Sequence, residues 1–439
     1  MNLAPTNRLL VILGLVLLPS GLVAAAAPSW TPVCVAAAVV CVGGVVMDAV
    51  VSRGRLRGVG LRLPETLRLV KGRAATFDVE VLRSGAIPEE LRLGLVFPPP
   101  IIAEEETRTK LAGSAERFRT SWTALGSSRG SHRISEAMVE TRSAAGLWDI
   151  REPRPVASEF RVYPNLLADK KTAAPLLLSR TTGSHPLRQV GKGREFEKLR
   201  EYIPGDTFND IHWRATARHG KPVTKVFQVE RTQEVYAVLD CSRLSGRVVR
   251  GEPALEHYLT AALLLGLAVQ KEGDLFGVIA FDDQVRTIVR AGGGRAHFGS
   301  CREAVYAAKS KRVSPDYREL SQFIRTRLRK RALLMMLTDL DDAAIAEEFE
   351  SNLGVVRRTH LVATHMILPG GVQPMFAGSL VSTADEVYDR LAGHLRWQSL
   401  EQTRRRLATK GIALTLLRPE NAAADLVARY RQIKGRQLL

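Results

Sequence analysis

A chain of 439 residues has room for two or three domains, and its 45% hydrophobic and 25% charged content excludes a wholly disordered protein. The 63 Lys and Arg against 45 Asp and Glu leave a formal charge of +18, which points to an anionic membrane surface or to nucleic acid. The four cysteines (Cys34, Cys41, Cys241, Cys301) form no CxxC or Cys/His cluster, which argues against structural zinc and a disulfide framework and fits a reduced interior.

Leu9 to Ala27 carries no charge, and Pro32 to Val51 is interrupted only by Asp48. At ~1.5 Å per residue each makes a helix of roughly 28–30 Å, enough to cross the hydrocarbon core. Pro28 to Pro32 is an uncharged turn in which Trp30 suits an interface. Arg53, Arg55, Arg57, Arg62, Arg68, Lys71 and Arg73 follow the second span. This asymmetry predicts a transmembrane hairpin over residues 1–52, in the inner membrane of the cell, with the bulk of the chain in the cytoplasm. The same basic residues are placed to meet anionic lipid headgroups, at ~1 kcal/mol each. Ala25-Ala26-Ala27 leaves a second reading open, a cleavable signal, although only Arg8 precedes the apolar run.

Residues 53–165 show short alternating runs, among them Phe77–Val81, Leu91–Phe97 and Arg117–Thr123, broken by Pro98-Pro99-Pro100 and Gly126–Gly130. Regular turns over about a hundred residues predict a small β-sandwich. From Ala168 to Lys192 periodicity is lost, as in a linker. That linker and the charged stretch after it make up a segment spanning 166–232.

The stretch is Gly191 to Arg218, GKGREFEKLREYIPGDTFNDIHWRATAR. Asp206 follows a Pro-Gly turn and is placed to cap a helix over Thr207–His219 that stops at Gly220. On such a helix Asp210 and Arg214 are spaced to pair, and Phe208, Ile211 and Ala215 share a face that, with Trp213, is expected in a core. Glu195, Glu197, Arg200 and Glu201 are charges that a plain core element does not need. No catalytic spacing occurs in it.

EFEKLREYIPGDTFNDIHWRATAR resembles the hallmark of the family catalogued as domain of unknown function 58, bacterial membrane proteins. Glu195, Phe196, Leu199, Arg200, Tyr202, Pro204, Gly205, Asp206, Ile211, Trp213, Ala217 and Arg218 all fit that hallmark as they stand. Upstream, Ser143-Ala144-Ala145-Gly146-Leu147 stands where the family has an Asp-Pro-Phe-Gly-Leu-like turn, so the Asp and Pro are missing. The leading reading is a membrane-anchored, non-enzymatic scaffold or adaptor whose α/β domain binds another protein; the resemblance implies a cytoplasmic AAA+ ATPase of the MoxR type as that partner, in a chaperone-like or envelope-related role. The signature is then either a packing element or the ATPase contact.

From residue 233 to 439 strands and helices alternate. The expected strands are Val235–Leu239, Leu275–Phe281 with a hairpin partner at Gln284–Arg290, Ala332–Leu337, His360–Leu368 and Ile412–Leu417. The expected helices are Ala254–Gln270, Ala296–Ser310, Tyr317–Lys330, Ala384–Lys410 and Ala422–Ile433, with one more between the third and fourth parallel strands. This is an α/β domain, a doubly wound, mostly parallel sheet of Rossmann type, whose ligand site belongs at the carboxyl ends of its strands.

Two of those ends read Asp240-Cys241-Ser242-Arg243-Leu244 and Thr338-Asp339. They resemble the von Willebrand A domain, whose metal-ion-dependent adhesion site combines Asp-x-Ser-x-Ser, a Thr from a second loop and a later Asp. Asp240, Ser242 and Asp339 match three ligand positions, which makes Mg²⁺ the implied ion. Leu244 replaces the second Ser, Ser245 is one residue out of register, and Ser314 and Asp316 lie near the Thr loop without fitting it. Asp240 has an equal use in closing its own loop, and Asp339 in capping a helix near Asp342.

Gly292-Gly293-Gly294-Arg295 and Gly191-Lys192-Gly193-Arg194 lack the Walker spacing, and HExxH and GxSxG are absent. A metal-dependent hydrolase using Asp240, Ser242 and Asp339 is the alternative to the adaptor. Nucleic acid ranks last: Arg325–Arg331 and Arg404–Arg406 fall on expected helix faces, where solvated charge is the simpler account.

Overall fold

The computed structural model describes residues 2–83, 90–105, 107–111, 117–167, 190–228, 232–377 and 383–436. Most of the expected linker therefore lies outside the described residues. The chain forms two compact units, residues 1–165 and 166–439.

In the first unit β1 (Asn2–Pro5) precedes the helices α1 (Asn7–Ala26) and α2 (Thr31–Val51). Both helices are long and apolar enough to cross a membrane, and their large side chains are mostly exposed. Among the described residues nine strands follow: β2 (Val59–Arg62), β3 (Thr66–Val70), β4 (Ala74–Arg83), β5 (Glu90–Leu95), β6 (Ile101–Ala103), β7 (Thr107–Leu111), β8 (Arg117–Gly126), β9 (Gly130–Arg142) and β10 (Trp148–Tyr163). One sheet runs β1-β10-β9-β5-β7, with β3 added parallel to β10; the other runs β2-β4-β8-β6. Alternate residues of the two sheets fill one core around Trp122, Phe77 and Phe160, as the alternating runs predict.

Both ends of the helical pair are stitched to this sandwich. Thr6 caps α1 and donates through Oγ1 to the carbonyls of Gly146 and Leu147, both at 2.9 Å. Asp48, the charge that interrupts the second span, accepts from Ser143 Oγ at 2.6 Å and from the Ala145 amide at 2.9 Å. It is buried against the turn Ser143–Leu147.

In the second unit β11 (Val190–Glu201) and β12 (Val223–Gln228) form an antiparallel two-stranded sheet. A six-stranded sheet follows, ordered β17-β16-β13-β18-β19-β20. Its strands are β13 (Glu234–Asp240), β16 (Leu275–Phe281), β17 (Val285–Gly292), β18 (Ala332–Leu337), β19 (Leu361–Ile367) and β20 (Ala413–Leu417). Two short strands, β14 (Val248–Val249) and β15 (Glu252–Pro253), pair in the loop after β13. Only β17 runs antiparallel, paired with β16 as the hairpin reading expects. The helices are α3 (Trp213–His219), within the signature, then α4 (Ala254–Lys271), α5 (Arg295–Val305), α6 (Tyr317–Arg327), α7 (Ala343–Val356), α8 (Ala384–Thr409) and α9 (Ala422–Gly435).

The sheet's apolar strands are buried on both faces, which is why they read as continuous hydrophobic runs. Residues Ala237, Leu239, Val278 and Met335 face a core with α4, α5 and α9, while Val238, Ile279, Leu334 and Met336 face one with α6, α7 and α8. Each fully buried Leu or Val contributes roughly 1.5–3 kcal/mol. The unit is a doubly wound domain of von Willebrand A type, as expected from the sequence.

Candidate functional site

Strand order reverses between β13 and β18, since the chain builds outward from β13 to one side through β16 and to the other through β18. The carboxyl ends of these two strands flank the crevice where open α/β sheets place ligands. Asp240 ends β13, and Thr338-Asp339 follows β18; all three are fully buried.

Every oxygen of Asp240 is engaged. Oδ1 accepts from the Ser242 amide at 2.8 Å and Oδ2 from Thr338 Oγ1 at 2.6 Å. Thr338 Oγ1 also meets Tyr317 OH at 2.7 Å, and the Thr338 carbonyl accepts from Tyr258 OH at 3.2 Å. Burial pushes the Asp240 carboxyl up, against the hydrogen bond from Thr338. Ser242 Oγ is buried and has no hydrogen-bond partner among the described residues, while Ser245 Oγ turns back to the Ser242 carbonyl at 2.7 Å. The hydroxyl that reaches Asp240 from a second loop is thus Thr338, beside Asp339. Asp316 instead caps α6 through the Glu319 amide, and Ser314 is exposed.

Asp339 accepts from the Asp341 amide at 3.0 Å, and its Oδ2 lies 2.6 Å from Arg247 Nη2, a charge contact without hydrogen-bond alignment. Arg247 Nη1 donates to Asp341 Oδ2 at 3.1 Å, and Arg396 reaches the same oxygen. Arg243 pairs with Asp342 at 2.9 Å, and Asp342, not Asp339, caps α7. Burial drives the Asp339 carboxyl up to about 6 against the opposing pull of Arg247. Sequence reasoning missed Arg247: it stands on the loop after β13 at no motif spacing, and only the fold brings it to Asp339.

These residues do not fit a divalent ion. Leu244 offers no oxygen, both Asp240 oxygens have protein donors, and a guanidinium already faces Asp339. A doubly charged ion ~4 Å from that guanidinium would meet a repulsion of roughly 8 kcal/mol at an effective dielectric of 20. Among the described residues no group of three or more His, Cys, Asp or Glu is arranged to hold a metal.

The second candidate surface is the signature itself. Its strand β11 carries Glu195, Phe196, Leu199 and Arg200, and the Ile203-Pro204-Gly205-Asp206 turn holds Gly205 at φ 112, a conformation that favours glycine. Arg200 Nη2 donates to Asp206 Oδ1 at 2.7 Å, and the Ile203 amide to Asp206 Oδ2 at 3.1 Å. The Ile203 amide, then Arg200, holds the Asp206 carboxyl below its ordinary range. The expected helix over Thr207–His219 is corrected: a single 3₁₀ turn (Phe208–Asp210) comes first, and α3 starts at Trp213. Its cap is His212, whose Nδ1 accepts from the Ala215 amide at 3.0 Å, because Asp206 is committed to its own turn. Asp210 and Arg214 therefore do not share a helix. Ile211 and Ala215 are buried, but Phe208 is 71% and Trp213 65% exposed, so the expectation of a core role for these two is overturned. Tyr202 is half-buried and Arg218 exposed. Gly220 ends α3 in the left-handed conformation, as expected.

Residues 198–369 match the family described as Protein of unknown function DUF58. No curated protein matches the chain. Among solved structures, BatB from Bacteroides thetaiotaomicron is 12% identical with a TM-score of 0.28, covering 46% of this chain and 99% of that one. An aerotolerance-related membrane protein from Bacteroides fragilis is 14% identical over 46% and 99%, with a TM-score of 0.27. Proximal thread matrix protein 1 from the mussel byssus is 9% identical with a TM-score of 0.27, and the match spans 46% of each chain. A second structure of that mussel protein, with a zinc-occupied MIDAS motif, is 11% identical over 36% and 39%, with a TM-score of 0.23.

Proposed function

We propose that this chain is a membrane-anchored protein-interaction module, a scaffold or adaptor whose signature hairpin and α/β unit dock another protein. The observation that carries the proposal is the outward presentation of Phe208 and Trp213, with Ile203 at 56% exposure, on the connection between β11 and β12. Large apolar side chains held outward beside charged residues mark contact surfaces. The partner we propose is an AAA+ ATPase of the MoxR type, as the family resemblance implies.

Anchoring rests on the helical pair. Thr6 and Asp48 tie both its ends to one sandwich, so the helices leave it and return to it. This favours a two-pass hairpin over a cleaved signal, since cleavage after Ala27 would strip β1 from its sheet. Exposed Arg53, Arg57 and Arg62 follow α2, where they serve the inner-membrane orientation with the bulk of the chain cytoplasmic and meet anionic headgroups.

The test is to purify the tagged full chain from its native membrane with and without ATP. A nucleotide-dependent AAA+ ATPase in the eluate, lost in a Phe208→Ser/Trp213→Ser variant that still folds, supports the reading. An eluate free of partners in both conditions sinks it.

A further inference from the structure

The strand-end cluster of the α/β unit has the outline of a metal site and the contents of a salt-bridge network. Asp240, Thr338, Ser242 and Asp339 converge in a buried space, yet the positive charge there belongs to Arg247. Its guanidinium bridges two carboxylates from one loop, Asp339 at 2.6 Å and Asp341 at 3.1 Å. Arg247 thereby ties the loop after β13 to the acidic loop after β18, and holding two strand-end loops together is structural work that a divalent ion can do in such a crevice. The Arg247 side chain is only 23% exposed, and leaving the crevice to an ion would unpair both carboxylates.

We infer that Arg247 takes the place of a divalent ion in this crevice, making the site a metal-independent one with a built-in cation. Three features agree with it. Leu244 supplies no third hydroxyl, so nothing in that register is kept for coordination. Asp240 spends both oxygens on holding the β13 and β18 loops together. Asp339 Oδ2 has no hydrogen-bond donor of its own among the described residues and faces the guanidinium as its charge partner. A guanidinium differs from a metal ion in one respect that matters for function. It is always charged and cannot be removed, so contacts made through this face do not depend on free cation levels.

The consequence is that removing the guanidinium should uncover a cation site. Mn²⁺ binding is measured on the full chain in detergent by relaxation enhancement, with thermal midpoints taken in EDTA, Mg²⁺ and Mn²⁺. The expected result is no saturable Mn²⁺ uptake and no cation-dependent midpoint in the unmodified protein. Arg247→Ser should gain saturable uptake of one equivalent and a midpoint raised by Mn²⁺, and adding Asp339→Asn, which removes the carboxylate the guanidinium had faced, should abolish both. Arg247→Gln, close in size, replaces Arg247→Ser if that variant does not fold. Saturable binding by the unmodified protein that Asp339→Asn removes overturns the inference. So does a folded Arg247 variant that remains blind to Mn²⁺, because the guanidinium would then not be what occupies the cation's place.

Discussion

Asp48 offers the sharpest test of how the apolar helices are joined to the first unit. Replacing it with Ala removes the acceptor of two short hydrogen bonds, from Ser143 Oγ at 2.6 Å and the Ala145 amide at 2.9 Å, and of a long one from Ser52 Oγ at 3.5 Å. Bonds to a charged group are worth about 1.5–3 kcal/mol each, and the donors left behind are partly buried. Some of that loss returns as Ser143 rotates and water enters, so the net cost should be about 3 kcal/mol. In a unit of this size 1 kcal/mol moves the melting midpoint by roughly 2–4 °C, giving a fall of roughly 6–12 °C. Asp48→Asn keeps an acceptor for the amide and should lose no more than about 1 kcal/mol. Thermal unfolding of the full chain in detergent, followed by tryptophan fluorescence, reads both; Trp148 donates to the Val45 carbonyl close by. An unchanged midpoint in Asp48→Ala, or equal losses in the two variants, would refute the reasoning.

Three further outcomes are expected. Phe208→Ser and Trp213→Ser should each leave stability within about 0.5 kcal/mol, as circular-dichroism melts will show, since both side chains are largely exposed. Burial opposes ionisation of Asp282, but hydrogen bonds from Arg286 at 2.8 Å and Lys311 at 3.0 Å outweigh it and hold its carboxyl well below the usual range. A depressed carboxyl stabilises the fold above its unfolded value of about 3.9 and loses that contribution as pH falls. The stability gap between the unmodified protein and Asp282→Asn, measured by urea unfolding, should therefore be full at pH 6 and shrink below pH 4; a gap that grows with acid would contradict it. Gly266→Ala should destabilise by about 1–3 kcal/mol in the same urea assay, because its new methyl would sit 2.6 Å from the Phe276 ring where α4 packs on β16.

The α/β unit was legible because its strands are apolar runs buried on both faces and alternate with helices, three of which, α6, α7 and α8, carry side-chain caps from Asp316, Asp342 and Thr383. Strands Leu275–Phe281 and Ala332–Leu337 match the sequence reading end to end. Periodicity served less well in the signature. Glu195, Phe196, Leu199 and Arg200 belong to a strand, but their charge density hides a period of two, and a Pro-Gly-Asp run looks alike as a turn or as a helix start. Asp206 serves the turn, which delays the helix until His212 can cap it. Asp240, Ser242 and Asp339 were visible as polar residues at strand ends, whereas Arg247 was not, since a contact with Asp339 across the crevice leaves no local trace. Asp48 looked like a flaw in an apolar span until its partners at Ser143 and Ala145 appeared.

The placement of β1 has a consequence for biogenesis. The ribosome delivers Asn2–Pro5 before either apolar helix, yet the strand that receives it comes much later; Thr6 and Gly146, which share a hydrogen bond, are 140 positions apart. Both apolar helices are therefore made while the strand that clasps β1 does not yet exist, and this edge of the sandwich closes only after β10 is complete. A fragment begun after Val51 to gain solubility would leave the Trp148–Arg151 edge of β10 bare, an invitation to strand addition between copies.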